Sequence, residues 1–310
     1  MPPAVGIDLG GTKIAGLRMG ESGELLARLE IDTPGDADSI VDELLRITSA
    51  LAVDGVGAVG IGAAGMVDFA AGTLRFAPNL PLRDLPLRDI IGERSGLGCV
   101  VDNDANAAGW GEHLFGAAKG RGHVLLVTVG TGIGGAIVTD GKLNRGAHGF
   151  AAEIGHIIVE PGGPECGCGN RGCWEQVASG QALDRLARAE ADRDPAGGIA
   201  AVAGDRPASG LDVSVAAANG DPAASAIFEE IGRRLGEGIA GLTNVLDPEL
   251  VVVGGGVAEA GDLLLVPTRR AFSDSVEAVD RRPEVPIVTA RLGADAGAIG
   301  AAAMAMELVP

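Results

Sequence analysis

The sequence predicts an α/β protein with an internally duplicated architecture. An apolar strand, a Gly/Thr-rich turn and a second apolar strand occur at residues 5–18. The same arrangement recurs at 124–138, about 120 residues later. Elsewhere Val/Ile/Leu-rich strands alternate with amphipathic helical stretches, which is typical of sheets covered by helices. The repeat indicates two related halves, with phosphate held between them by the two turns.

Composition favours one large or two medium domains and argues against several classes of partner. The 310 residues include 51 glycines and carry a formal net charge of −18. Binding along nucleic acid or to an anionic membrane needs a basic face, so neither is expected. No apolar run reaches the roughly 18 residues of a membrane span, and no secretory leader follows Met1. We therefore expect a cytoplasmic protein.

The first glycine turn has the sequence Asp8-Leu-Gly-Gly-Thr-Lys13. Its two glycines permit φ > 0 and expose consecutive N–H groups that can bind phosphate, with the Thr12 hydroxyl as a further donor. A plain β-hairpin explains the pattern equally well. The turn leads into a strand, unlike a Walker-type phosphate loop, which leads into a helix.

The next stretch places polar residues after predicted strands. A helix at 39–51 and a strand at 56–61 precede the loop Gly62-Ala-Ala-Gly65, at the strand end where α/β sheets commonly bind ligands. Asn79 follows in a Pro-rich loop, either as a turn residue or as a ligand-binding amide.

A strand at 98–101 leads into a helix that begins with four polar side chains: Asp102, Asn103, Asp104 and Asn106. Asp and Asn are preferred helix caps, but one cap is enough. A carboxylate beside a carboxamide at this position can accept a proton and bind a hydroxyl group.

The segment 153–175 is rich in glycine and holds three of the four cysteines. Three thiolates and one imidazole make a Cys₃His set that closes a tetrahedral zinc site, formed by His156, Cys166, Cys168 and Cys173. A disulfide plus a spare thiol is the alternative, but three cysteines cannot pair evenly. Glu153 and Glu175 flank this metal loop and are expected to be drawn together by it.

The remaining elements follow from periodicity and turn residues. The sequence predicts helices at 179–191, 213–219, 222–246 and 295–308, a loop at 192–209, and strands at 124–129, 136–138, 250–253 and 287–290. Gly254-Gly-Gly256 is either a third nucleotide-binding turn or a simple connection.

Five of these motifs together resemble the ROK family of repressors, open reading frames and sugar kinases, and within it the ATP-dependent glucokinases of actinobacterial type. They are Asp8-Leu-Gly-Gly-Thr-Lys13, Asn103-Asp104, Thr131-Gly-Ile-Gly-Gly135, Glu153-Ile-Gly-His156 and Cys166-Gly-Cys-Gly-Asn-Arg-Gly-Cys-Trp-Glu175. The resemblance covers essentially the whole chain. Gly62-Ala-Ala-Gly65 lacks the proline that many relatives carry there.

The resemblance implies an actin-like, hexokinase-type fold, related to ribonuclease H, with two α/β domains around a cleft. Residues 1–115 would form a small N-terminal domain closed by the C-terminal helix 295–310. Residues 116–294 would form the larger domain with the zinc loop. Asp104 would be the catalytic base, and the sugar would be bound by Asn79, Asn103, Asp104, Glu153, His156 and Glu175.

The resemblance also implies ATP, Mg²⁺ and a structural zinc as cofactors, and glucose as the substrate. The nucleotide and its metal would be bound by Asp8, Gly10, Gly11, Thr12, Lys13, Thr131, Gly132, Gly254, Gly255 and Gly256. His156 would bind zinc through one ring nitrogen and a sugar hydroxyl through the other. Relatives suggest a homodimer or homotetramer.

Four alternatives stay open. N-acetylmannosamine kinases and fructokinases share the zinc loop or the base, and polyphosphate could replace ATP as donor. A ROK repressor would carry a DNA-binding domain of roughly 80 residues ahead of the first strand, which here begins at Val5. A non-catalytic sugar-sensing protein would need Asp104 only as a helix cap.

Overall fold

The computed structural model describes residues 2–53 and 55–309, so Met1 and Pro310, the ends of the predicted domains, lie outside the described residues. The strands are β1 Ala4–Leu9, β2 Lys13–Met19, β3 Leu25–Asp32, β4 Ala58–Ala63, β5 Met66–Asp68, β6 Thr73–Phe76, β7 Arg83–Leu85, β8 Gly98–Asn103, β9 Val124–Val129, β10 Ile133–Thr139, β11 Lys142–Leu143, β12 Leu250–Gly254 and β13 Ile287–Thr289.

The helices are α1 Ala37–Leu51, α2 Leu87–Ser95, α3 Asp104–Leu114, α4 Glu175–Ala178, α5 Gly180–Arg193, α6 Gly198–Ala203, α7 Gly210–Ala218, α8 Pro222–Leu246, α9 Asp262–Ser275 and α10 Ala296–Met306. Short 3₁₀ turns occupy Ile154–His156, Gly256–Ala260 and Gly293–Asp295. None of the helices described at 2–53 and 55–309 is long and apolar enough to cross a membrane.

Two five-stranded sheets share one strand order, which confirms the duplicated architecture. The first runs β3-β2-β1-β4-β8 and the second β11-β10-β9-β12-β13, while β5, β6 and β7 form a small third sheet. In the first sheet β1 is antiparallel to β2 but parallel to β4, and β4 is parallel to β8. The carboxyl ends of β1, β4 and β8 therefore lie at one edge.

The chain divides into two compact units. Unit 1 comprises residues 1–126, 135–152 and 290–310, and unit 2 comprises 127–134 and 153–289. The zinc loop lies in unit 2, and α10 in unit 1. The predicted boundary at residue 115 differs from this division, because residues 116–126 and 135–152 belong to unit 1.

In unit 1, the Ala-rich helix α10 packs directly on the sheet. Side chains on α1, such as Leu44 and Ile47, belong to the core cluster that also contains Ile7 of β1. The strand glycines Gly6 and Gly60 allow α10 to approach closely, because a Cβ there would lie 1.9 and 1.8 Å from helix carbonyl oxygens. This close packing accounts for part of the high glycine and alanine content.

Several elements were not predicted by sequence periodicity. They are β3, the sheet β5-β6-β7, and the helices α2, α6 and α9. The predicted loop 192–209 is wrong over Gly198–Ala203, where burial of Ile199 and Ala203 stabilises a short helix that has no side-chain cap. Tertiary packing there overrides the weak local preference.

Candidate active site and metal centre

In unit 1, the predicted site residues of the first half follow the three parallel strands. Register pairs Leu9 of β1 with Ala63 of β4, and Ala63 with Asn103 of β8. The turn 10–12 therefore follows β1, the loop 62–65 spans the end of β4, and Asp104 follows β8. Ligands in α/β proteins commonly bind outside such strand ends.

The turn between β1 and β2 is closed by a hydrogen bond from the Gly10 N–H to the Lys13 carbonyl oxygen at 3.0 Å. Glycine permits φ > 0 in this turn, but neither Gly10 nor Gly11 adopts it. Gly11 is needed for a different reason, because a Cβ there would lie 2.8 Å from the Cβ of Asn79. The exposed Asn79 is thus brought against this turn.

The Lys13 side chain forms an ion pair at the surface. Its ammonium group pairs with Glu30 on the neighbouring strand β3, and its side chain is 60% exposed. An exposed ion pair of this kind contributes little stability and leaves the lysine in solvent. The structure therefore gives no support to Lys13 as a phosphate ligand.

Asp8 and Asp104 form an electrostatically coupled pair of carboxylates. Burial raises the pKa of Asp104 above its usual value, although hydrogen bonds from the Ala105 and Asp104 backbone oppose this shift. Burial, and then the negative charge of Asp104, raise the pKa of Asp8 to about 7. Two neighbouring carboxylates favour a shared proton or a bound cation.

The elevated pKa of Asp8 gives a pH-dependent stability. A carboxyl with a folded-state pKa of about 7 binds more protons in the folded than in the unfolded chain between about pH 4 and 7. The free energy of unfolding of metal-free protein should therefore fall as the pH rises through this range, by up to about 1.4 kcal/mol per pH unit. Denaturant unfolding from pH 5 to 8 should show a shallower fall for Asp8→Asn, and equal slopes would contradict the shift.

Asn103 caps helix α3, as the cap alternative predicts. Its Oδ1 accepts a hydrogen bond from the Asn106 N–H at 3.1 Å, and its Nδ2 donates to the Gly65 carbonyl oxygen at 3.1 Å. The loop after β4 is thereby tied to the residue that precedes Asp104. The Asn103 side chain also hydrogen-bonds the Asp104 carboxylate, which opposes the rise in the pKa of Asp104.

In unit 2, the turn 130–132 meets the start of helix α5. The Gly180 and Gln181 N–H groups donate to the carbonyl oxygens of Gly130 and Thr131 at 2.8 and 3.1 Å. Gly255 has φ +86°, and a Cβ there would lie 2.6 Å from the Val129 carbonyl oxygen. The predicted nucleotide-binding turns at 130–132 and 254–256 are therefore neighbours.

The predicted metal ligands converge. The ligand atoms of His156, Cys166, Cys168 and Cys173 all lie within 4.8 Å of one another. Cys166 Sγ lies 3.7 Å from His156 Nδ1, and the sulfurs of Cys168 and Cys173 are 3.6 Å apart. A tetrahedral zinc with bonds of about 2.0–2.3 Å separates its ligands by roughly 3.5–3.8 Å. The cluster could therefore bind zinc, with Nδ1 as the histidine ligand.

All four cysteines are free thiols. Burial raises the pKa of Cys166 to about 12. Burial also opposes ionisation of Cys168, but the Asn170 N–H and the neighbouring thiols outweigh it and lower the pKa of Cys168. A bound metal would hold these sulfurs as thiolates.

Backbone pairing and two left-handed glycines shape the metal loop. Ile158 pairs with Cys173, and Glu165 pairs with Arg171, as isolated antiparallel bridges. Gly169 and Gly172 have φ of +92° and +75°. A Cβ at Gly172 would lie 1.7 Å from the Glu160 carbonyl oxygen, so the loop needs glycine at this position.

Glu175 connects the metal cluster to the turn 130–132. Its Oε1 accepts a hydrogen bond from the Cys166 thiol at 3.1 Å and lies 3.7 Å from His156 Nδ1. A Cβ at Gly132 would lie 2.4 Å from Glu175 Oε2. The Glu153 carbonyl oxygen accepts from the His156 N–H at 3.1 Å, so both glutamates adjoin the histidine ligand along the chain or in space.

Trp174 anchors the metal loop to helix α8. Its side chain is fully buried, and its Nε1 donates to the Arg234 carbonyl oxygen at 2.9 Å. The indole ring packs against Gly238, where a Cβ would lie 2.2 Å from Trp174 Cε2. Helix α8 therefore needs glycine at position 238 so that Trp174 can hold the metal loop against it.

Replacing Gly238 by alanine should destabilise the protein by about 1–3 kcal/mol, because the added methyl group overlaps the indole ring. Gly241, less than one turn further along α8, is the matched control, since a Cβ there meets nothing within 4 Å. Gly241→Ala should stabilise by about 0.5–1 kcal/mol through helix propensity. Denaturant unfolding measures both, and equal effects would contradict the packing.

The profile of the ROK family matches residues 4–307. The chain belongs to the ROK family. A glucokinase of Streptomyces coelicolor is 44% identical over 99% of this ROK chain and 98% of its own length. A glucokinase of Thermotoga maritima is 37% identical over 98% of both chains.

The solved structures give the same family. A ROK family glucokinase from Streptomyces griseus, in complex with glucose and AMPPNP, matches this ROK chain with a TM-score of 0.89 and 45% identity, over 98% of this chain and 99% of the other. The predicted α/β, two-domain, actin-like fold is therefore confirmed.

Proposed function

We propose that this chain is an ATP-dependent glucokinase that transfers the γ-phosphoryl group of ATP to the 6-hydroxyl of glucose. The observation that carries the proposal is the likeness, over almost the whole chain, to a glucokinase complexed with glucose and an ATP analogue, at 45% identity. The partly buried carboxylate of Asp104, at the carboxyl edge of a parallel sheet, supplies a group suited to the chemistry.

In the proposed reaction, the 6-hydroxyl oxygen of glucose forms a bond to the γ-phosphorus while the bond between that phosphorus and the β–γ bridging oxygen breaks. The hydroxyl proton passes to the Asp104 carboxylate, and ADP leaves. Phosphoryl transfer depends mainly on positioning and charge stabilisation. The raised pKa of Asp104 makes it a stronger base than an exposed aspartate.

The sugar-binding role extends to amide, carboxylate and imidazole side chains. We assign it to Asn79, Asn103, Asp104, Glu153, His156 and Glu175. Neutral sugars present only hydroxyl groups, so side chains that donate and accept hydrogen bonds suit them. Support comes from Asn79 and Asn103 in unit 1, since the first packs against the turn 10–12 and the second adjoins Asp104.

The nucleotide-binding role falls to the glycine turns. We assign it to Gly10, Gly11, Thr12, Thr131, Gly132, Gly254, Gly255 and Gly256, whose backbone N–H groups can bind phosphate. Lys13 is left out because it pairs with Glu30. Asp8, beside Asp104, offers hard oxygen ligands to Mg²⁺, which would neutralise phosphate charge.

The metal loop has a structural role in this proposal. Three sulfurs and His156 Nδ1 would complete four-coordinate zinc and leave no open position for catalysis. The other ring nitrogen of His156 is then free of the metal and can bind a sugar hydroxyl. Zinc would thus hold His156, and through the loop Glu175, in place for the sugar.

The cellular setting and the assembly belong to the same proposal. Free thiols and a need for ATP are consistent with a reducing, cytoplasmic compartment. A homodimer or homotetramer is the expected assembly, because most soluble oligomers are symmetric homo-oligomers.

The test is formation of the sugar phosphate from glucose, mannose, fructose, N-acetylglucosamine and N-acetylmannosamine, with ATP as the donor and with polyphosphate in its place. Glucose with ATP should give the highest kcat/KM. A preference for an N-acetylated sugar or for fructose would replace glucokinase by another sugar kinase. The absence of turnover with every sugar would favour a non-catalytic sugar-sensing protein.

A further inference from the structure

Asp102 is a buried carboxylate, 1% exposed, that the proposed phosphoryl transfer does not use. It lies at the end of β8, immediately before Asn103 and Asp104. Its Oδ1 accepts hydrogen bonds from the Asn103 N–H at 2.8 Å and from Asn106 Nδ2 at 3.0 Å. Asp102 thus holds the chain on both sides of the proposed base.

The second oxygen of Asp102 is bound by Arg145. Arg145 Nε donates to Asp102 Oδ2 at 2.6 Å. The guanidinium group stacks over the Phe69 ring, 3.9 Å from its centroid, and its Nη2 lies 3.9 Å from Met304 Sδ. A planar cation fixed in this way compensates the buried charge and sets the orientation of the carboxylate.

The segment that carries Arg145 is itself well held in unit 1. The Ala151 N–H donates to the Arg145 carbonyl oxygen at 3.1 Å. Gly149 has φ +91°, and a Cβ there would lie 2.4 Å from the Val67 carbonyl oxygen, so the segment packs closely on β5. The ion pair therefore joins side chains whose backbone segments are both held by hydrogen bonds or close packing.

We propose that the Asp102–Arg145 ion pair positions the turn that carries Asn103 and Asp104, which makes Arg145 a positioning residue for the reaction. The inference rests on the proposed function. Arg145 acts through Asp102, whose hydrogen bonds fix the Asn103 backbone and the Asn106 side chain. Loss of the cation leaves a buried carboxylate unpaired and releases this turn.

The first test is Arg145→Met, which keeps the length and apolar stem of the side chain but removes the cation. We expect kcat to fall by about 10-fold to 100-fold, because a small displacement of a reacting group is enough for such a loss. The KM for glucose should rise with it, since Asn103 shares the turn, while the KM for ATP should stay within about twofold. Arg75→Met is the matched control, because Arg75 pairs with Asp68 and Asp84 in the same unit but is 45% exposed.

The double variant Asp102→Asn/Arg145→Met separates positioning from general stability. The amide oxygen introduced at position 102 can still accept from the Asn103 N–H, and the buried group is now neutral. We expect the double variant to recover at least half of the loss in log kcat. Amide hydrogen exchange should be faster at residues 103–106 in Arg145→Met and close to the parent elsewhere in unit 1.

Each outcome decides between explanations. A purely structural role predicts a lower Tm, an unchanged KM for glucose, faster exchange throughout unit 1 and no rescue, and would overturn the inference. If Arg145→Met does not fold, Arg145→Gln takes its place, since it removes the positive charge but keeps a side-chain hydrogen-bond donor. A kcat within about twofold of the parent would then overturn the inference. An active parent with an equally active Arg145→Met would contradict the inference alone, whereas an inactive parent would contradict the proposed function as well.

Discussion

Replacing Asp104 by asparagine is expected to lower kcat by about 10³-fold, because the sugar hydroxyl then loses its proton acceptor. The carboxamide keeps the size of the side chain and can still bind a hydroxyl group. Glucose affinity should therefore stay within about fivefold of the parent. Steady-state ADP release gives kcat, and isothermal titration with glucose gives the affinity.

Asp89→Asn is the control for this experiment, because Asp89 also lies in the first turn of a helix but pairs with Arg88 at the surface. It should retain full activity. The alternative role of Asp104 as a helix cap makes a different forecast, since its loss would lower the Tm and leave kcat unchanged. That result would remove Asp104 from the reaction.

Loss of the zinc ligands should have the second largest effect. Cys173→Ala removes a fully buried sulfur. The backbone of this residue pairs with Ile158 in an isolated bridge, which alanine can keep. We expect zinc content to fall from about one ion per chain to near zero. Glucose affinity should drop by at least about tenfold, because His156 and Glu175 would lose the orientation that the bound metal gives them.

Cys99→Ala is the matched control for the metal, since burial raises the pKa of Cys99 to about 12 and its sulfur lies outside the cluster. Its zinc content and activity should equal those of the parent. Elemental analysis, with glucose titration of the same samples, measures both quantities. Full activity in zinc-free Cys173→Ala protein would contradict a structural role of zinc in sugar binding.

Helices and strands are predicted well from the sequence where the apolar periodicity and the flanking glycine or proline residues indicate the same bounds. Strand β9 at Val124–Val129 and helix α8 at Pro222–Leu246 have the predicted bounds, because apolar runs end at glycine turns or begin at a capped proline. Helix α9 contains Pro267 inside it, which weakens a helical prediction. Strand β3 does alternate, since Ala27, Leu29 and Ile31 pack against the core and charged residues lie between them. The alternation covers only six residues, however, and no residue of β3 is fully buried.

The domain division is harder to predict because it depends on contacts distant in sequence. The segment 135–152 continues directly from the turn 130–132, yet it belongs to unit 1, whereas the turn belongs to unit 2. A linear boundary cannot describe a chain that passes between the two units several times.

Cysteine and histidine residues at close spacing predicted the metal cluster, whereas the structural reason for an individual glycine is visible only in the folded chain. Four ligands within 18 residues converge as the pattern indicates, from His156 to Cys173. Gly11 is required by the approach of Asn79 and not by a positive φ. Both explanations suit the same letter in the sequence.

Sequence patterns also do not predict the role of Asp102. In the run Asp102 to Asn106 every polar residue is a plausible cap, and Asn103 is the one that caps α3. The partner that distinguishes Asp102 is Arg145, 43 residues away. Only the packing of two distant segments reveals this ion pair.

Phosphorylation of glucose at its 6-hydroxyl is tested most directly by phosphorus NMR of the purified protein incubated with glucose, ATP and Mg²⁺, with Asp104→Asn alongside. We expect the signal of glucose 6-phosphate, equal in amount to the ADP formed, and its near absence with Asp104→Asn. Equal product from the parent and from Asp104→Asn, or ATP consumption that yields only inorganic phosphate, would contradict this expectation.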